Sequence, residues 1–135
     1  MQVKTLSTSR YNSTNVSASV VISGTTKAIF GYGYSGASVS MTNLVSNTGT
    51  VATDTTGVGT IRHALAAAGY GTDKAIFGYG YSTSAAGNVS ITNLVNNTGT
   101  VATDTTGVGT ARYGPAAAGY GSDKAIFGYG NLNPG

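Results

Sequence analysis

The sequence predicts an all-β repeat protein, and three observations carry that reading. The block T-I-R-H-A-L-A-A-A-G-Y-G-T-D-K-A-I-F-G-Y-G at 60–80 returns at 110–130 as T-A-R-Y-G-P-A-A-A-G-Y-G-S-D-K-A-I-F-G-Y-G, about 50 residues further on. Within each copy, short runs of β-branched and aromatic residues alternate with turns rich in Gly, Asn or Ser, which is how strands and hairpins read in a sequence. The 21 glycines, spread from Gly24 to the last residue, deny a helix any long foothold there. A period of about 40 to 50 residues is that of propeller blades and related arrays, whose units cannot bury their apolar faces alone. Four strands per period then predict a β-propeller of four-stranded antiparallel blades, each of about 50 residues.

Aligned on arginine, the units open at Thr8-Ser9-Arg10, Thr60-Ile61-Arg62 and Thr110-Ala111-Arg112. They divide the chain into blade repeats at 8–59 and 60–109 and a half blade at 110–135. Residues 1–7 align one unit upstream of Thr53 to Gly59 and read as a detached strand that could complete a blade. Propellers use about four to eight blades, because fewer wedge-shaped sheets cannot pack around an axis. The expectation is therefore closure by oligomerisation, with two copies each lending an N-terminal strand to the other's half blade. The alternative is an end-to-end fibre grown from an open edge.

The first strand of a unit is made of small residues, Leu65 to Ala68 and Pro115 to Ala118, and suits a place where backbones approach closely, such as the inner strand of a blade. In the first copy, Ser17 to Ile22 reads as an ordinary alternating strand. The second strand is Lys27 to Gly33, Lys74 to Gly80 and Lys124 to Gly130; its continuous apolar run predicts burial on both faces. The third, Val39 to Val45 and Val89 to Val95, sets Val39, Met41 and Val45 on one face and Ser40, Thr42 and Leu44 on the other, the pattern of a half-buried strand. The fourth, Thr50 to Thr56 and Thr100 to Thr106, is threonine-rich with one Asp per copy and suits a polar outer edge. The loop after the second strand differs between copies, Tyr34 to Ser38 against Tyr81 to Asn88, and is a candidate binding surface because insertions collect where backbone is solvated.

Composition narrows the function classes. Charged residues make up 8% of the chain against about 25% in an average protein. The net charge of +3 comes from three Arg and four Lys with no basic run, so the stripe that nucleic-acid binding requires is missing. Cysteine is absent, which excludes disulfides and thiolate metal sites. No apolar run reaches the length of a membrane span, and Met1-Gln2-Val3-Lys4 lacks the apolar core of a signal peptide. The expected localisation stays open, with association to a virion as one setting.

Catalytic groups are sparse. His63 is the only histidine, Tyr113 replaces it in the next copy, and a general base needs an orienting partner. Asp73 and Asp123 follow Gly-Tyr-Gly and read as turn residues. Asp54 and Asp104 supply one carboxylate per copy, too few for a calcium site. The Gly-x-Gly runs precede no helix and read as turns and strand ends, not as phosphate cradles. The expectation is a non-enzymatic protein without cofactor or metal.

With these residues in hand, the chain resembles the kelch-type β-propeller repeat: an arginine opening the unit, a small-residue inner strand, and an apolar second strand ending in glycines, Ile-Phe-Gly-Tyr-Gly. It lacks the Trp typical of the kelch fourth strand, which leaves the regulator-of-chromosome-condensation type open as another propeller family. The near-identical, charge-poor repeats also look like those of phage and environmental surface or tail-associated proteins. In kelch-like propellers the connection into the inner strand and the second-to-third-strand loop share one face. That resemblance implies binding residues at Arg10, Arg62, Arg112, Tyr34, Tyr81 and Tyr113, with planar donors and aromatic platforms for acidic or sugar ligands. A structural duty for the arginines, holding adjacent blades together, stands beside it. The expected partners are further copies of the chain and a glycan or surface protein. The expected role is structural or adhesive, with lectin-like carbohydrate binding as the alternative.

Overall fold

The structure, a computed structural model, describes residues 27–133. The expected N-terminal strand at 1–7, Arg10 and the strand from Ser17 to Ile22 lie outside the described residues. Nine strands follow in order: β1 (Ala28–Tyr34), β2 (Ser38–Val45), β3 (Ala66–Tyr70), β4 (Lys74–Gly78), β5 (Tyr81–Ser82), β6 (Gly87–Asn88), β7 (Thr92–Val95), β8 (Ala116–Tyr120) and β9 (Lys124–Gly128). The fold is all-β, with no helix among the described residues, and its sheets hold two or three strands each.

The second unit is the most complete. β3 turns into β4 through Gly71-Thr72-Asp73, pairing Tyr70 with Lys74, and β4 pairs on its other edge with β7. Beyond β7 the chain returns at two isolated bridges, Val95 to Val101 and Thr92 to Thr105. The four expected segments thus lie side by side in sequence order, the fourth held at two points instead of along a ladder. The first unit repeats this with β1–β2 and bridges from Val45 to Val51 and Thr42 to Thr55; the third contributes the β8–β9 hairpin. Asp73 and Asp123 sit in the hairpin turns beside Lys74 and Lys124, at 3.2 and 2.6 Å.

One expectation needs correction. The Ile-Phe-Gly-Tyr-Gly run stays within one strand only in the first unit, as β1, and breaks in the other two; Tyr32, Tyr79 and Tyr129 all take left-handed backbone conformations with φ of 66, 65 and 63°, each followed by a glycine at positive φ. β4 and β9 end there, and β1 passes through only by shifting register between Gly31 and Gly33. A tyrosine in that region costs on the order of 1–3 kcal/mol. At Tyr32 and Tyr79 ring burial and the phenol groups offset that cost, with Tyr32 Oη donating to Val58 O at 3.0 Å and Tyr79 Oη to Val108 O at 3.1 Å, whereas Tyr129 holds the same conformation while 87% exposed.

On β2, which the sequence reads as half-buried without assigning either face to the core, the structure distinguishes the two faces. The strand's buried positions are Ser38 and Thr42, at 4% and 6% exposure, whereas Met41 is 39% exposed. The facing surface is the flat glycine of β1, where Thr42 Cγ2 lies close to Gly31. A short branched side chain fits that gap, and a methionine would overfill it.

Adjacent units interlock through one repeated contact. The Phe77 ring of the second unit lies over Gly31 of the first, only 2.8 Å from where a Cβ would stand. Phe127 of the third unit covers Gly78 of the second at the same 2.8 Å. Each ring also meets the tyrosine after that glycine, Tyr32 with Phe77 at 5.3 Å between centroids and Tyr79 with Phe127 at 5.4 Å. β3 packs along β8 in the same junction, with Gly69 and Gly119 letting the backbones close up. The core of Tyr32, Phe77, Val95 and Val101, joined by Ile29, Val58, Leu65 and Ala75, sits mainly at the first junction. Burying a ring such as Phe77 contributes about 1.5–3 kcal/mol, so the apolar driving force lies between units as much as within them.

Candidate functional site

Arg62 is fully buried at the first junction. Its guanidinium stacks on Tyr32 of the preceding unit, 4.0 Å above the ring centroid, and donates to Asn93 Oδ1 at 2.6 Å and to Thr60 O at 3.2 Å. Asn93, also fully buried, donates onward to Asp104 Oδ1 at 2.9 Å and Ala102 O at 3.0 Å. The other Asp104 oxygen accepts from the Thr60 backbone N–H and hydroxyl at 2.9 and 2.7 Å. One arginine therefore ties the previous unit's aromatic ring to the third and fourth strands of its own unit.

The electrostatics follow from this placement. Burial lowers the Arg62 pKa, opposed by Tyr32 and the Asp104 charge. Burial likewise raises the Tyr32 phenol. Burial pushes Asp104 upward, but the hydrogen bonds from Thr60 and Asn93 and the Arg62 charge outweigh it, leaving the carboxyl below its usual range. Asp54 and Asn43 make the matching contact in the first unit at 2.7 Å. The Asn–Asp pair, spaced identically at 43 and 54 and at 93 and 104, is the structural feature that sequence reading missed. Its signal was present: two polar residues repeating together inside otherwise apolar or threonine-rich strands.

On the loop edge, at the far end of β1 from Lys27, a row of rings crosses the same junction. Tyr34 meets His63 edge-on at 5.0 Å, and His63 meets Tyr81 at 5.4 Å. His63 pairs backbone to backbone with Tyr81, and Ser38 Oγ lies 2.9 Å from His63 Nδ1. Tyr34 is 62% exposed, so the row opens to solvent. At the next junction Tyr113 takes the histidine's place, bridges Asn131, and accepts from Asn131 Nδ2 at 3.3 Å. Asn88 donates to Asn131 O and Leu132 O there, while its buried Oδ1 has no partner.

The implied binding residues thus separate into two groups. Tyr34 and Tyr81 come together on the loop edge, joined by His63, and Tyr113 stands at the position equivalent to His63 at the next junction, against Asn131. Arg62 lies inside the molecule, against Tyr32 and not Tyr34, in the position of a residue that holds units together. Arg112 is half-buried and donates to Thr110 O and Tyr129 O at 3.2 and 2.9 Å. Arg10 lies outside the described residues. His63, read from the sequence as lacking an orienting partner, meets Ser38 and Tyr34 of the preceding unit.

A groove of about 270 Å³ lies at the opposite end of the strands, lined by Lys27, Tyr70, Asp73, Lys74, Asn96 and Gly99 among others. Its only carboxylate, Asp73, is taken by Lys74, and both are well exposed. No family model matches the chain, and no curated protein matches its sequence.

Proposed function

We propose that this chain is a non-enzymatic repeat module with a structural or adhesion role, its units acting as blades of a kelch-like propeller completed by further copies. A surface appendage such as a virion tail is the setting that its repeat style suggests. The observation supporting a structural role is the interlock itself: Phe over Gly, Tyr phenol on a valine carbonyl, and a left-handed Tyr-Gly pair recur from unit to unit. An array held by such contacts gains stability with each unit added. The blade reading rests on the meander order, from a small-residue first strand to a threonine-rich last segment.

The lectin-like reading is favoured by a different observation, the solvent-facing Tyr34–His63–Tyr81 row with Ser38 beside it. The exposed Tyr34 ring, backed by half-buried His63 and Tyr81, suits the apolar face of a sugar ring. A glycan array on the purified chain separates the two. Repeated hits on one sugar type, lost in Tyr34→Ala, favour the lectin; a blank array favours the structural role.

A further inference from the structure

The interlock has a giving side and a receiving side, and the described units use them unequally. The giving phenylalanine is 63% exposed at Phe30 in the first unit, 3% exposed at Phe77, and half-buried at Phe127. The receiving tyrosine runs the other way: Tyr32 is 8% exposed, Tyr79 half-buried and Tyr129 87% exposed. Gly31 and Gly78 are each capped by a ring, whereas a Cβ on Gly128 would meet nothing within 4 Å. Around Gly128 the third unit also exposes Ile126 at 57% and Tyr120 at 53%. One face therefore carries an uncapped glycine with its tyrosine, and another carries an uncovered ring of the type that caps it.

We infer that the Gly128–Tyr129 face docks a second copy of this chain, head to tail, with Phe30 of one copy seated over Gly128 of the next. The occupant is specified by the two junctions inside the chain, where the same Lys-Ala-Ile-Phe-Gly strand already fills the same seat twice. The second copy's ring would meet Tyr129 as Phe77 meets Tyr32 and as Phe127 meets Tyr79, in tilted or edge-on contacts worth about 0.5–1.5 kcal/mol beyond area burial. Such a contact is heterologous: it leaves one giving and one receiving face free on each dimer, so it propagates to a ring or a filament. It deepens the proposed structural role and rests on that reading of the interlock.

The two sides can be disabled without touching the interior of a single copy, because Phe30 is solvent-exposed and Gly128 has open space around its Cβ direction. Sedimentation velocity would be run on the full chain, on Phe30→Ala, on Gly128→Val, and on an equimolar mixture of the two variants, with a thermal melt of each to establish that it is folded. The expected result is association of the unaltered chain that rises with concentration, folded monomers for each variant alone, and a 1:1 dimer in the mixture. The mixture stops at two because only the Gly128→Val copy retains a competent ring and only the Phe30→Ala copy a competent seat. A monomeric unaltered chain, association indifferent to both substitutions, or a mixture that stays monomeric would each overturn the inference. Association indifferent to both substitutions would do so while leaving completion of the array by further copies intact; folded, cooperatively melting monomers of the unaltered chain would count against both.

Discussion

Arg62 and Arg112 open consecutive units in nearly the same local sequence, yet one is fully buried in a network and the other is half-buried with only backbone carbonyls as partners. The backbones agree: Arg62 O accepts from Gly33 N and Arg112 O from Gly80 N, both at 2.9 Å. What differs is the far side, where Asn93 and Asp104 stand beside Arg62. The unit's motif thus sets where the arginine enters, and the later strands of its own unit decide whether it becomes cement. The same division holds for the glycines after phenylalanine, two capped by rings and one facing open space.

The largest difference between the junctions should come from the glycines. Gly31→Val and Gly78→Val force a branched side chain into a ring 2.8 Å away and are expected to cost about 3 kcal/mol or more. Gly128→Val is expected to stay within about 0.5 kcal/mol when measured on monomer at low concentration. Urea unfolding of the three variants measures all of this, and equal losses at Gly78 and Gly128 would break the distinction.

Arginine removal comes next. Arg62→Ala deletes a buried stacked side chain and leaves Asn93 Oδ1 without its donor, an expected loss of about 2–4 kcal/mol; Arg112→Ala should cost about 1 kcal/mol or less. Asn93→Ala should approach the Arg62 loss, because it strands a buried guanidinium whose Nε already lacks a partner. Chemical denaturation at neutral pH checks these values.

Acid titration sharpens the comparison further. The Asp104 carboxyl is held below its ordinary range, so its stabilising contribution is fully present above the unfolded value of about 4 and is lost as pH falls through the lower folded value. Stability should therefore decline on the acid side of about pH 4, with a shallower decline in Asp104→Asn. An unchanged acid slope in that variant would remove Asp104 from the network. The smallest effect is expected from His63→Tyr, which installs the residue found at Tyr113: about 0.5 kcal/mol, from loss of the Ser38 contact.

Much of the strand order was legible in the sequence, because turn residues and apolar runs are local signals. The hairpin at Gly71-Thr72-Asp73 and the fourth segment's polar character follow from them directly. The left-handed tyrosines were not legible, since tyrosine by itself does not favour that conformation; at Tyr32 a ring seat and a carbonyl 26 residues away hold it, while the exposed Tyr129 shares it without them. The burial of Thr42 and exposure of Met41 escaped for a related reason: alternation identifies two faces but not which one meets a glycine-flattened neighbour. Tyr34 and Tyr81 could be singled out as loop aromatics, but their meeting on His63 depends on stacking of consecutive units, which no single unit encodes. Arg62 was visible as a repeated residue with two candidate duties, and only the partners across the junction distinguish them.

The interlock is tested most directly by coupling Gly78 to Phe127. Urea unfolding of Gly78→Val, Phe127→Ala and the double variant forms a cycle around one seat and one ring. If the ring over the glycine holds the junction, emptying the seat should make the valine harmless, and the double variant should be no less stable than Phe127→Ala alone. Losses that simply add would contradict it.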